Sequence, residues 1–156
     1  VEIDTAPGEG TVVRVLLPVH HGAASAPKAS SIAETLPRAR AGETVLVVED
    51  EERVRSYSVE ALRELGYTVL DARDGVEALN IIARGQSISL LFSDVVMPEM
   101  GGRELAARAA AVVPGLKVLL TSGYTPESVG DADRDILGKP FDLAQLANRV
   151  RAALDA

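Results

Sequence analysis

Thr44-Val45-Leu46-Val47-Val48-Glu49-Asp50-Glu51 sets a short, β-branched apolar run against three consecutive acids. A run of this length without polar alternation predicts a strand buried on both faces, the kind found in parallel sheets. The segment after it reads as a helix. Across Glu51 to Leu65, the residues Val54, Ser58, Ala61, Leu62 and Leu65 fall on one face, and Gly66 is placed to stop it. Tyr67 to Leu70 predicts a second strand. Strand, helix and strand in so few residues form the repeating unit of an α/β sheet.

The unit repeats to the end of the chain. A helix opens at Asp74, with Glu77 three residues on as a capping box, and carries Val76, Leu79, Ile82 and Ala83 inward. Ser89 to Ser93 predicts the third strand, and an alanine-rich helix runs from about Arg103 to Val112 until Pro114-Gly115 breaks it. Lys117 to Thr121 is the fourth strand and Asp135 to Leu137 a short fifth. Asp142 with Gln145 caps a last helix whose Leu143, Leu146, Ala147, Val150 and Leu154 share a face. Five such units predict a flavodoxin-like, doubly wound five-stranded parallel sheet. The G-x-G-x-x-G fingerprint of a dinucleotide-binding sheet is missing after the first strand.

Outward from this core the pattern dissolves. Residues 19–43 turn to Ala, Ser, Pro, Gly and His and predict a flexible linker, in which His20 and His21, without acidic partners, are solvated. Before it, Val1 to Leu17 holds two β-rich runs around Ala6-Pro7-Gly8-Glu9-Gly10, a hairpin that would be marginal alone. The 156 residues, 47% hydrophobic and 25% charged, suit one soluble domain with some excess length. A net charge of -7 without a Lys or Arg run argues against a nucleic-acid or anionic-membrane surface on this fragment. The absence of cysteine excludes disulfides, zinc-thiolate sites and thiol nucleophiles, and is compatible with the cytoplasm. No apolar run approaches the roughly 20 residues that span a bilayer, so any membrane anchor of a parent protein lies elsewhere.

In doubly wound sheets the working site lies at the carboxyl ends of the strands. Those positions hold Glu49-Asp50, Asp94, Thr121-Ser122 and Lys139. Three carboxylates brought to one sheet edge repel one another, and a divalent cation relieves that repulsion. Mg2+ suits an exposed acidic pocket that has neither His nor Cys. Asp94 is then a nucleophile toward phosphorus, since a carboxylate forms an acyl phosphate without a general base. Lys139 can neutralise one phosphoryl oxygen and Ser122 can donate to another. Each residue also has a plainer role: Glu49 to Glu51 as helix-capping acids, Asp94 as a turn residue, Ser122 as a strand-end hydroxyl and Lys139 as a solvated charge. All of these would have to hold together for the plain account to stand.

Four blocks in order resemble the signature of receiver domains of response regulators: Val47 to Glu51, Leu91 to Gly102, Leu120 to Tyr124, and Gly138-Lys139-Pro140-Phe141. The resemblance covers residues 44–156. It implies that Asp94 is phosphorylated from a phosphohistidine, on a histidine kinase or a histidine phosphotransfer protein. It further implies that Asp50, Asp94 and the Val96 carbonyl bind Mg2+, with Glu49 acting through water, and that the Lys139-Pro140 peptide is cis. Such a domain catalyses its own aspartyl phosphorylation and dephosphorylation. Phosphorylation would draw Ser122 toward Asp94 and reshape the surface near Tyr124 and Ile136, while Val96 and Tyr124 border the water approach and tune the acyl-phosphate lifetime.

Residues 1–18 resemble the closing strands of a histidine-kinase ATPase domain, which implies a hybrid sensor histidine kinase as parent. The nucleotide-binding blocks and a phosphorylatable His region are absent, so the fragment itself is not expected to be a kinase. Only 17 positions separate Ser122 from Lys139, which predicts a shortened fourth helix. Ile136 stands where the family often has Tyr or Phe, so the family's aromatic switch and the dimer surface on its fourth helix are both in question; a monomer is expected. The competing expectation is a pseudo-receiver that serves only protein interaction. A Mg2+-dependent phosphohydrolase would need a second acid beside Asp94, and none is evident.

Overall fold

The computed structural model describes residues 1–8, 10–16, 36–123 and 136–156. The chain divides into two units, Val1–Ala33 and Glu34–Ala156. In the first, β1 (Glu2–Ala6) and β2 (Gly10–Arg14) form an antiparallel pair with Ile3 opposite Val13 and Thr5 opposite Thr11. Gly8 and Gly10 turn the chain between them at φ 85° and 87°, values that a glycine adopts at little cost. The Thr5 and Thr11 hydroxyls bond at 2.9 Å, and Arg14 pairs with Asp4.

The second unit runs β3 (Thr44–Val48), α1 (Glu52–Glu64), β4 (Thr68–Ala72), α2 (Gly75–Ala83), β5 (Leu90–Asp94), α3 (Gly102–Val112), β6 (Lys117–Ser122), β7 (Ile136–Gly138) and α4 (Leu143–Asp155). The strands form one parallel sheet in the order β4-β3-β5-β6-β7, the doubly wound arrangement that the repeating pattern predicts. Successive side chains leave a strand on opposite faces. Val45, Val47, Leu90 and Phe92 therefore enter one core layer with Leu62, Leu146 and Val150 of α1 and α4. Leu46, Val48 and Leu91 enter the other, with Ala78, Ile82, Leu105 and Ala109 of α2 and α3. This double burial is why the strands are continuous apolar runs.

The helix ends follow from local chemistry. At the end of α1, Gly66 (φ 93°) donates to the Arg63 carbonyl and Tyr67 to the Leu62 carbonyl, the paired bonds of a Schellman stop. The Asp142 side chain accepts from the Gln145 N–H at 2.8 Å while Gln145 accepts from the Asp142 N–H at 2.9 Å, a complete capping box. At α2 the box is displaced: Asp74 accepts from Glu77 N–H, but the Glu77 carboxylate takes the N–H of Arg73. The inward face of α2 also differs from expectation. Val76 and Ala83 are exposed, and Gly75, Ala78 and Ile82 are buried. The helix lies close against Met100, which leaves room for the small residues and turns the bulkier Val76 outward.

Part of the expected linker, through residue 35, lies outside the described residues, as does the expected shortened fourth helix. The remainder of that linker lies against the domain. Leu36 and Ala39 pack on the α1/α4 core layer, and the Ala39 N–H donates to the Leu65 carbonyl at 3.0 Å. Glu43 takes two bonds from Arg151, at 2.9 and 3.0 Å, and Arg40 pairs with Asp155. The Arg151 hydrogen bonds hold the Glu43 carboxyl below its ordinary range against an opposing effect of burial. A depressed acid stabilises the fold above its unfolded pKa, about 4.3 for Glu, and loses that contribution as pH falls through its lower folded value. Glu43→Gln is accordingly expected to cost about 1–2 kcal/mol at neutral pH. Melting curves of the two proteins should converge in acid, below about pH 4.

Candidate functional site

The carboxyl ends of β3, β5, β6 and β7 meet at one edge of the sheet and carry the predicted residues there. Asp94 is the last residue of β5, Ser122 the last of β6, Glu49-Asp50 follow β3, and Lys139 follows β7. Lys139 joins them. Its Nζ donates to Glu49 Oε2 at 2.6 Å and to Asp94 Oδ2 at 2.8 Å, and its backbone N–H donates to the Ser122 carbonyl at 2.8 Å. The Lys139-Pro140 peptide is cis.

Glu49 is 5% exposed and Ser122 is buried, whereas Asp50 opens to solvent and Asp94 is intermediate. Carboxylate oxygens of Glu49, Asp50 and Asp94 lie within 4.8 Å of one another. Burial pushes the Glu49 carboxyl up, and the Lys139 hydrogen bond only partly offsets it. For Lys139 burial pulls down, but the bonds to Asp94 and Glu49 prevail and raise it. The ammonium thus stays charged in a pocket that gains from its charge.

The loop after Asp94 is held from several sides. Val95 N–H donates to the Thr121 carbonyl at 2.9 Å and Gly102 N–H to the Val95 carbonyl at 3.0 Å. Val96 is 62% exposed, and its N–H points at Asp94 Oδ1 from 3.4 Å. Met97 and Met100 are buried beneath the loop. Gly102 is essential in a way that the motif alone does not reveal: a Cβ there would lie 2.1 Å from the Asp94 carbonyl oxygen and 2.9 Å from Ser93 Oγ. Gly102→Ala is expected to lower the melting temperature by about 10 °C or more, because backbone must move to admit the methyl. Gly101→Ala, whose Cβ would meet the Val95 carbonyl at 3.0 Å, should cost less.

Glu51, at the N-cap of α1, makes no side-chain capping bond, and Glu49 bonds Lys139 as well as the Glu51 N–H. The Lys139 side chain is 19% exposed and doubly bonded, so it is not a solvated charge. Ile136 is half-buried, and its carbonyl accepts from Arg149 at 3.0 Å. Tyr124 lies outside the described residues. Two features escaped the sequence reading. Arg55 donates to the Glu49 carbonyl at 2.8 Å. An apolar groove beside Lys139 is lined by Val54, Tyr57, Pro140 and Phe141, with the Phe141 ring 6.1 Å from both Tyr57 and Phe92. Tyr57, an aromatic residue off the main helix face, and an arginine one turn after the acids were the available signals.

The family model of the response regulator receiver domain matches residues 45–151. The chain belongs to this family. As a receiver domain it is a component of two-component signalling. It is 38% identical over 163 residues to the sensor kinase CckA of Brucella abortus (strain 2308), an alignment spanning 97% of this chain and 17% of that protein. Among solved structures, the receiver domain of the hybrid histidine kinase CckA is 38% identical at a TM-score of 0.61, covering 71% of this chain and 98% of that one. The response regulator TrrA of Thermotoga maritima, solved in complex with Mg2+-BeF, is 27% identical at a TM-score of 0.62, with the same coverage of 71% and 98%. Receiver domains bind Mg2+ at an acidic pocket and interact with kinases and phosphotransfer proteins. No helix among the described residues of this receiver is long and apolar enough to cross a membrane.

Proposed function

We propose that this receiver domain accepts a phosphoryl group from a phosphohistidine onto Asp94 and requires Mg2+ to do so. The observation that carries this is the single ammonium of Lys139 bridging Asp94 and Glu49 at the sheet edge. Hard oxygen donors without His or Cys fit Mg2+, and Glu49 is a buried acid whose charge a cation would relieve. Asp50, Asp94 and the Val96 carbonyl would hold the ion, with Glu49 acting through water. When bound, it supplies positive charge against the phosphoryl oxygens.

The chain's own residues then do the positioning. The Asp94 carboxylate forms the new O–P bond as the P–N bond of the donor breaks and the imidazole leaves. Lys139 is poised to exchange its contact with Asp94 for one with a phosphoryl oxygen, and the Ser122 hydroxyl donates to another. Val96, exposed two residues past Asp94, would border the water approach; Val96 and Tyr124 would tune the acyl-phosphate lifetime, and Ile136 would belong to the surface that responds. Incubation with acetyl phosphate and Mg2+ should give a single phosphoryl adduct by intact mass, absent with EDTA. No adduct, with beryllofluoride also failing to bind, would leave an interaction-only module.

A protein donor must rest on the surface around this pocket, and the groove of Val54, Tyr57, Pro140 and Phe141 adjoins it. Tyr57, 45% exposed, presents an aromatic ring to a partner there. Tyr57→Ala is therefore expected to slow phosphotransfer from a phosphohistidine protein at least about tenfold and to leave labelling by acetyl phosphate near its original rate. Equal effects on both donors would contradict this.

The parent we propose is a cytoplasmic or membrane-anchored hybrid sensor histidine kinase, its receiver on the cytoplasmic side. Residues 1–18 would close its ATPase domain, 19–43 would link it onward, and 44–156 would be the receiver. Support comes from the CckA alignment, which takes in nearly the whole chain and so includes part or all of the hairpin before the receiver.

A further inference from the structure

We infer that Arg55 is a positioning residue for the acidic pair, fixing the turn on which Glu49 and Asp50 are presented to Mg2+. This rests on the metal site proposed above. Glu51 at the N-cap of α1 offers no side-chain bond to the helix, and the Glu49 carboxylate is held by Lys139 and by the Glu51 N–H. The Glu49 peptide itself is tied by two longer connections. The Glu49 N–H donates to the Ala72 carbonyl at the end of β4 at 3.2 Å, and the Glu49 carbonyl accepts from Arg55 Nη1 at 2.8 Å.

The guanidinium is placed for this task. It sits on the first turn of α1 with its side chain only 18% exposed, and its Nε faces Asp71 Oδ2 of β4 at 3.5 Å. Arg55 therefore links the helix that follows the acids to the strand beside them, with the Glu49 peptide between. A planar fork holds both directions in one fixed geometry, whereas an ammonium is a point charge with freely rotating donors. Without it the Glu49 carbonyl loses its partner, and the adjoining carboxylates lose the backbone restraint that aims them. Groups that orient ligands in this way typically account for about 10–100-fold in metal affinity.

The test is a Mg2+ titration of the unphosphorylated protein followed by amide chemical shifts, beside melting curves in EDTA, for the unaltered chain and for Arg55→Ala, Arg55→Lys and Asp71→Asn. Arg55→Ala should weaken Mg2+ at least tenfold with a melting temperature in EDTA close to the original. Arg55→Lys should recover part of the affinity, and Asp71→Asn, which spares the bond to Glu49, should change it less than threefold. Unchanged affinity in Arg55→Ala would overturn the inference, as would a loss matched by a large fall in melting temperature or one reproduced by Asp71→Asn. Failure of the unaltered chain to bind Mg2+ would instead overturn the metal site, and the role of Arg55 with it.

Discussion

Asp94→Asn is expected to abolish the phosphoryl adduct altogether while leaving the fold as stable as before. An amide oxygen can still accept the Lys139 bond that Asp94 Oδ2 now takes at 2.8 Å, so the packing of the pocket is preserved. The amide is not a nucleophile toward phosphorus, and no other carboxylate occupies the end of β5. One negative charge leaves a cluster of three, and the Coulombic push of Asp94 on Glu49 disappears with it. Stability should accordingly stay within about 1 kcal/mol of the original or rise slightly. Acetyl phosphate labelling read by intact mass, with chemical denaturation alongside, measures both. Labelling that survives the substitution would transfer the phosphoacceptor role to another side chain.

Lys139→Met is expected to slow adduct formation about 100-fold, the usual consequence of removing one donor to a developing oxyanion. Methionine retains most of the stem and removes only the ammonium. The same substitution should destabilise the domain at neutral pH by about 1–3 kcal/mol, because Glu49, 5% exposed, keeps its charge without its partner. The pH dependence has a definite sign. Burial already raises Glu49, so the folded state binds its proton more tightly than the unfolded state does. As pH falls toward the Glu49 pKa the unpaired charge is neutralised and the deficit shrinks. In the unaltered protein Lys139, raised by its carboxylate partners, stabilises the fold below the unfolded lysine value, about 10.4, while those partners stay ionised, and loses that contribution as pH rises through its folded value. Denaturation at pH 7 and pH 5 distinguishes this from simple loss of packing, which would be insensitive to pH.

Much of this was legible in the sequence, for identifiable reasons. Double burial leaves Val45 to Val48 and Leu90 to Phe92 as continuous apolar runs, and parallel topology then obliges the residues after them to share an edge. Gly66 and Asp142 marked their helix ends through local chemistry that needs no tertiary context. Other features depend on tertiary approach and had no local signature. Val76 and Ala78 are both apolar on a nine-residue helix, and only its packing on the core layer that includes Met100 and Leu105 decides which side faces inward. Gly102 reads as one glycine in a loop until the Asp94 carbonyl is found 2.1 Å from where its Cβ would lie. Leu36 and Ala39 belong by composition to a linker, yet they rest on the α1/α4 core layer. Arg55 looks like one more exposed helix charge until its bond to the Glu49 carbonyl is seen.

The most direct test of the central claim is to locate the phosphoryl group. The chain would be labelled with acetyl phosphate and Mg2+, reduced with borohydride to convert an acyl phosphate to the alcohol, and mapped by peptide mass spectrometry. Homoserine at position 94, and nowhere else, is the predicted result. Reduction at Glu49 or Asp50, or an adduct that borohydride leaves untouched, would contradict it.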